Sequence, residues 1–310
     1  MRNIGKIGGE TCSCPICGNT ETALFCNYKE RQQPQRTWEV WQCLHCHYGW
    51  TIPQLNAEQL KAYYTADYLG DIEKTLDEFK NGKLQGTRSW RRETTKADLI
   101  EKFQNQGTLL DVGCAGASFL LALDPSKWKR FGIELIEEVV ELVCKKTSNL
   151  EIRQGDIFSP SLPKASFDVI TLWHVFEHLH EPEAVLRRIQ ALLKPGGWLF
   201  ISLPNLDSFQ SRLFRHNWFA FDDIPRHLHH YSPRSLERLF HQVGLTVVDH
   251  VCFCSLANIH QLKHSALHWS KERFSSCLPY YLIKPMLLCF PFFAKLMGKF
   301  GTMTTVGRNQ

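Results

Sequence analysis

The chain has 310 residues, 44% hydrophobic and 22% charged, the proportions of a globular protein with enough core for one large α/β domain and a small appendage. Its formal charge of +5 is uneven: residues 251–310 carry seven Lys/Arg against one acid, Glu272, whereas the first 250 carry 29 against 30. Twelve cysteines in a chain of this length exclude a small disulfide scaffold, and Met1–Glu10 is polar and Gly-rich rather than an apolar export signal. A reducing, cytoplasmic setting, with some cysteines holding metal, is the expectation.

Residues 1–52 read as a Cys-rich unit with aromatic filler (Phe25, Trp38, Trp41, Trp50). Cys14-Pro-Ile-Cys17 and Cys43-Leu-His-Cys46 are two C-x₂-C pairs separated by 25 residues. That spacing lets both thiolates of a knuckle converge on one tetrahedral ion, and Gly18 can take the left-handed turn that follows. Four thiolates close the coordination sphere, so a structural zinc on Cys14, Cys17, Cys43 and Cys46 is expected. A redox dithiol would need only one pair. Cys12, His45 and His47 are spare ligand types, and Cys12 could replace Cys14 in the register.

Residues 53–108 are expected to form a helical linker or lid, with amphipathic stretches at 57–64 and 91–103. Tyr63, Tyr64 and Tyr68 either close over a substrate or pack in a core. From residue 109 strands and helices alternate. Strands are predicted at 109–112, 130–133, 150–154, 167–172, 198–203 and 245–249. Helices are predicted to open at 119, to run through Cys144, and to cover 183–193 and 233–243, with Pro195-Gly-Gly197 as a stop. This order argues for a doubly wound, mostly parallel α/β sheet with right-handed crossovers.

Leu109-Leu-Asp-Val-Gly-Cys-Ala-Gly116 reads as a buried strand and a tight small-residue turn against which an extended nucleotide-like ligand can lie. A dinucleotide fingerprint wants G-x-G-x-x-G, but the same spacing from Gly113 gives Ala115, Gly116 and Ser118. A carboxylate at Asp111 would repel a pyrophosphate and suits a ligand carrying an ammonium and a sulfonium, which points to S-adenosylmethionine (SAM). Glu134 and Asp156 close the next two predicted strands. Glu134 can accept both ribose hydroxyls, Asp156 can accept from the adenine amine, and Ile157 can pack on the ring. Any one of these acids alone would read as a helix cap or a solvated loop. Three in order, at successive strand ends, form a ligand-binding edge.

Residues 109–250 resemble the class I SAM-dependent methyltransferases related to ubiquinone biosynthesis, with a Rossmann-like, seven-stranded sheet. The resemblance rests on Leu110–Gly116, Gly132-Ile-Glu134, Gly155-Asp156, Phe167–Ile170, His174-Val-Phe-Glu-His-Leu179 and Leu193-Lys-Pro-Gly-Gly197. Ala115 and Ala117 stand where many relatives have glycine, and a slightly tighter fit is expected there. A four-Cys zinc ribbon, a Tyr-rich segment and Asp222–Arg234 are together similar to sugar C-methyltransferases. There a histidine at the position of His227 serves as general base. Those relatives carry glutamate before it; this chain has Arg226, which counts against C-methylation.

The resemblance implies methyl transfer to a small molecule, a sugar or a lipid-linked, envelope or secondary-metabolite precursor. Such a reaction needs two aligned reactants and a base. His178, His227 and Tyr231, in the cluster His227/His229/His230/Tyr231, are the candidates; a capping role for His178 and a hydrogen-bonded lid for the cluster are the plainer readings. His174, Glu177 and His178 could also gather a divalent ion, as the matching acid-rich segment does in some ubiquinone-pathway relatives. Residues 278–300, within an apolar, basic extension at 251–310, either pack on the sheet ahead of a last strand at 302–307 or dock peripherally on the inner face of an anionic membrane. An RNA methyltransferase using the zinc unit as a grip is disfavoured, because Lys29, Arg31 and Arg36 are offset by Glu10, Glu21, Glu30 and Glu39, so no nucleic-acid partner is expected. A non-catalytic SAM-fold module would have no need for Glu134 and Asp156.

Overall fold

In the computed structural model, residues 6–7, 10–11, 13–30, 33, 35–63, 66–159, 161–252, 256–277, 280–281 and 299–310 are described. A two-residue pair, β1 (Lys6–Ile7) and β2 (Glu10–Thr11), precedes an antiparallel meander of β3 (Thr22–Lys29), β4 (Thr37–Cys43) and β5 (Gly49–Ile52). Helices α1 (Ala57–Lys61), α2 (Ala66–Lys80) and α3 (Arg88–Glu101) follow. Then come β6 (Gly107–Val112), α4 (Ser118–Ala122), β7 (Trp128–Glu134), α5 (Glu137–Lys146), β8 (Glu151–Gln154) and β9 (Phe167–Trp173). A 3₁₀ turn at Phe176–His178 leads to α6 (Pro182–Leu192), β10 (Leu193–Pro204) and α7 (Phe209–Phe214). Two further 3₁₀ turns, Arg215–Asn217 and Phe219–Asp223, precede β11 (His229–His230), α8 (Pro233–Gln242), β12 (Leu245–Val251), α9 (Leu256–Phe274) and β13 (Thr302–Asn309).

The main sheet has seven strands in the order β12-β13-β10-β9-β6-β7-β8. Strands β10, β9, β6, β7 and β8 pair in parallel, and β13 runs antiparallel between β10 and β12. Alternate residues feed opposite faces, as a strand's two-residue period requires. Leu110, Val112, Ile170 and Leu172 join Leu186, Ile189, Leu236 and Phe240 in one core cluster, while Leu109, Val169 and Phe200 join Ile100, Leu120 and Val143 in another. Helices thus cover both faces, which is why these strands read as near-continuous apolar runs.

Two features differ from the sequence expectation. Pro195-Gly-Gly197 does not form a free loop: α6 passes directly into β10, and the register against β9 shifts between Leu193 and Trp198. The extra residues are absorbed as a bulge, with Gly196 at φ 77°. Helix α9 was not anticipated, because polar residues and three histidines interrupt any single apolar stripe, although Leu262 and Ala266 are fully buried. Of the apolar stretch 278–300, only Tyr280, Tyr281, Lys299 and Phe300 are described, so its packing or docking lies outside the described residues. Among the described residues no helix is long and apolar enough to cross a membrane.

The small sheet is completed from far along the chain. Its order is β11-β5-β4-β3, with His229 opposite Trp50 and His230 opposite Gly49. The N-terminal unit therefore holds the histidine segment directly.

Candidate functional site

The carboxyl ends of β6, β7 and β8 lie side by side, with Asp111 opposite Gly132 and Glu134 opposite Gln154. Asp111 is 3% exposed and accepts a hydrogen bond from Thr171 Oγ1 at 2.6 Å. Burial pushes its carboxyl up to about 7, against the opposing pull of Thr171 and of the Lys96 ammonium. The turn after β6 needs unusual backbone. Gly113 sits at φ 65°, and a Cβ there would meet Val175 Cγ2 at 2.7 Å. Gly116 lies against Ile72 of α2, where a Cβ would come within 3.0 Å of Cγ2. Ala115 and Ala117 adopt φ of 46° and 55°. A glycine at either position would relieve that backbone demand, and each alanine costs roughly 1–2 kcal/mol in left-handed conformation.

Glu134 is 7% exposed. Its Oε2 accepts from Ala115 N–H at 3.0 Å, and its Oε1 accepts from Leu135 N–H at 2.8 Å and Ile136 N–H at 3.1 Å. A carboxylate offers about four acceptor positions. Room remains on Oε2 for one hydroxyl, so the two-hydroxyl capture expected from sequence requires a turn N–H to be exchanged. Asp156 is exposed just beyond β8 and accepts from Phe158 N–H at 2.9 Å. Ile157 is 2% exposed and belongs to the core cluster of Leu162 and Val185. Sequence reasoning missed the floor that α3 supplies here. Lys96 Nζ lies 2.7 Å from the buried Glu93 carboxylate and 4.9 Å from the Trp173 ring centroid.

Next to this edge stands a buried histidine cluster. His227 is 4% exposed, and its Nδ1–H donates to Ala220 O at 2.7 Å. That assignment leaves a lone pair on Nε2, which lies 3.8 Å from both Glu177 Oε1 and Asp223 Oδ2. Burial raises the Glu177 carboxyl, but the polar contacts around it, first of all His174 Nδ1 at 3.4 Å from Oε1, outweigh it and hold the group below its usual value. Asp223 follows the same balance, with His227, Arg226 and His178 prevailing over burial. His178 packs on His227 with ring centroids 4.7 Å apart and donates from Nδ1 to Arg226 O at 3.0 Å. Burial above all takes His178 down to about 4, so it is a neutral and weak base. Glu177, His178 and His227 each place one ligand-type atom within 4.8 Å of the others.

Tyr231 is fully buried and stacks on Phe176 at 5.0 Å. His229 Nδ1 and the Tyr48 hydroxyl share a hydrogen bond, and burial takes the imidazole down to about 3. Among the described residues, His229 Nε2, the Tyr231 hydroxyl and Glu177 Oε2 find no hydrogen-bond partner, while Glu177 Oε1 has His174 Nδ1 3.4 Å away. Glu177 was anticipated only as a possible ion ligand with His174 and His178, Asp223 was visible only as a member of a quoted motif, and Tyr48 and Thr51 gave no signal.

The four cysteines converge. Cys14 Sγ lies 3.6 Å from Cys46 Sγ, and Cys17 Sγ lies 3.6 Å from Cys43 Sγ. The two knuckles repeat one geometry: Gly18 N–H donates to Cys14 O at 2.9 Å, and His47 N–H donates to Cys43 O at 3.0 Å. Gly18 at φ 69° and His47 at φ 59° occupy equivalent left-handed positions. His47 is therefore a turn residue, with Nδ1 3.1 Å from Asp207. Cys12, Tyr64 and the Tyr68 side chain lie outside the described residues. Tyr63 accepts from Arg36 at 2.7 Å and donates to Glu30 at 3.4 Å.

Residues 83–250 match the family described as a methyltransferase domain. A ubiquinone biosynthesis O-methyltransferase of Coxiella burnetii is 27% identical over 151 residues, 46% of this chain and 64% of the relative. One from Thiobacillus denitrificans is 28% identical over 162 residues, 49% of this chain and 67% of the relative. The chain thus spans just under two thirds of the length of the first of these relatives. A chain from the complex between the Haloferax volcanii Trm112 methyltransferase activator and its methyltransferase superposes with TM-score 0.50 at 18% identity, over 77% of this chain and 97% of that one. At that identity the likeness speaks for the fold alone. The fold and the family match define a class I SAM-dependent methyltransferase, and the chain belongs to that family.

Proposed function

We propose that the chain transfers a methyl group from SAM to a small molecule, with a hydroxyl as the acceptor. The observation that carries this reading is the buried His227 Nε2 lone pair, set between the Glu177 and Asp223 carboxylates beside the β6–β7 edge. The edge itself suits the cofactor. The turn lays side-chain-free backbone at Gly113 against Val175, Asp111 offers a buried carboxylate to an ammonium, and Glu134 Oε2 retains room for a hydroxyl. Asp111, Gly113, Ala115 and Gly116 would hold the methionine end, Glu134 the ribose and Asp156 the adenine amine; Ile157 would back the ring from the core. The bound cofactor supplies an electrophilic methyl on a sulfonium, whose leaving group departs neutral.

The chain's part is then to align the acceptor and take its proton. His227 Nε2 accepts that proton, and the resulting imidazolium is stabilised by the two flanking carboxylates. Tyr231 and His229, with unmatched polar atoms, would orient a polyhydroxylated acceptor such as a sugar. The O-methyltransferase relatives and Arg226 in place of glutamate favour oxygen over carbon. Cys14, Cys17, Cys43 and Cys46 would hold a structural zinc, because tetrahedral Zn–S bonds of about 2.3 Å put sulfurs about 3.8 Å apart, close to the observed pairs. Incubating the purified chain with methyl-labelled SAM and a panel of sugar, quinol-precursor and lipid-linked acceptors tests the reading. Label should enter a base-stable ether product. Transfer only to RNA, or no transfer to any acceptor, would reject it.

A further inference from the structure

A second group of ligand-type side chains, unconnected with the four cysteines, sits where α9 crosses the Phe219–Asp223 turn. His264 and His268 are one helical turn apart on α9, on the same face. Their Nε2 atoms are 3.3 Å apart, and their ring centroids are 4.3 Å apart. From the turn, Asp222 Oδ2 reaches to 3.2 Å from His264 Nδ1. One ligand-type atom from each of the three falls within 4.8 Å of the other two.

The chemistry of this arrangement is directional. A carboxylate beside Nδ1 keeps the imidazole proton on that nitrogen, so the His264 Nε2 lone pair faces His268. Metal-binding histidines are held in this way, with a carboxylate on the far ring nitrogen fixing tautomer and orientation. Two imidazole nitrogens on one tetrahedral ion, each about 2.0–2.1 Å from it, lie about 3.3–3.4 Å from each other. The observed separation already has that value. In the chain alone it serves a hydrogen bond from His268 Nε2–H; on metal binding His268 shifts its proton to Nδ1 and presents a second lone pair. The His264 side chain is 41% exposed and that of Asp222 is 25% exposed, so the position is open to ions and to completing water ligands.

We propose that Asp222, His264 and His268 form a second metal site, for a borderline divalent transition ion such as zinc. His264 and His268 are the ligands, and Asp222 orients His264. Bound there, the ion would fix His264 in the orientation that contacts Asp222, the link between α9 and the turn that carries Asp223 and leads into His227.

The full-length chain, freed of any affinity tag and equilibrated with micromolar zinc, can be assayed for zinc by mass spectrometry. His264→Ala and His268→Gln should each hold one zinc fewer per chain than wild type, and Asp222→Asn should bind that zinc tenfold or more weakly by calorimetry. Melting in zinc-free buffer shows that each variant folds, and because the readout is a difference between variants, failure of the four-Cys site would appear separately as a lower absolute count. Equal zinc content in wild type and both folded histidine variants would overturn the proposal. An ion equivalent that survives both substitutions would do the same.

Discussion

The Thr51 hydroxyl donates to the backbone carbonyl of His227 at 2.8 Å and, on its other side, meets His230 Nε2 at 2.9 Å. A hydroxyl has one proton, so His230 must be the Nε2–H tautomer and donate back. This fully buried junction joins β5 of the N-terminal unit to the segment bearing the candidate base.

Thr51→Val keeps the shape and removes the hydroxyl, leaving a buried carbonyl and a buried imidazole N–H without partners. A loss of about 1–3 kcal/mol in denaturant stability is expected. Turnover should fall while S-adenosylhomocysteine affinity holds, because the β6–β7 edge is untouched. Parallel loss of both would mean that the junction holds the whole domain, not the histidine segment.

His227→Asn should lower kcat by about a hundred- to ten-thousandfold if Nε2 is the proton acceptor. Product-cofactor binding should be unchanged, as measured by calorimetry. Near-wild-type turnover would move the base elsewhere, with His178 disfavoured because burial holds it down to about 4.

Asp111 gives the chain a pH dependence of definite sign. Its carboxyl titrates near 7 in the folded chain against 3.8 as the ordinary value. Between those values the folded state binds the extra proton. The stability contributed by neutral Asp111 is therefore complete below about 3.8 and lost as pH rises through about 7. Asp111→Asn should flatten the decline in denaturant stability across that window. Cofactor affinity should move the opposite way in wild type, strengthening as Asp111 ionises, and Asp111→Asn should abolish that gain. Denaturant melts and calorimetry across the window read both.

Removal of zinc by a strong chelator should unfold β3–β5 and release β11 with them, since the small sheet includes both. Circular dichroism should show a lower melting temperature, and turnover should fall with it. An unchanged melt together with no zinc in the purified chain would dismiss the structural-zinc assignment.

How much of this was legible in the sequence follows from how local each signal is. Strands β6, β9 and β10 announce themselves as apolar runs, and Glu134 and Gly113 as a strand end and a turn, because each depends on its neighbours in sequence. The two C-x₂-C pairs are equally local. His229 and His230, by contrast, become a strand only because Trp50 and Gly49 lie opposite them. No spacing within 227–231 encodes a partner some 180 residues earlier. Glu177 was in plain view, but its 1% exposure comes from packing, which composition does not carry. The Glu93–Lys96 pair reads on the sequence as an ordinary surface pair of a helix, and only the docking of α3 over Trp173 turns it into the floor of the site.

The central claim is that the β6–β7 edge binds SAM through Glu134, and calorimetric titration of S-adenosylhomocysteine into wild type and Glu134→Ala tests it most directly. The account predicts one site per chain in wild type and a loss of tenfold or more in affinity in the folded variant, equivalent to about 1.4 kcal/mol or more. Equal affinity in the two proteins, or no heat of binding to folded wild type, would contradict it.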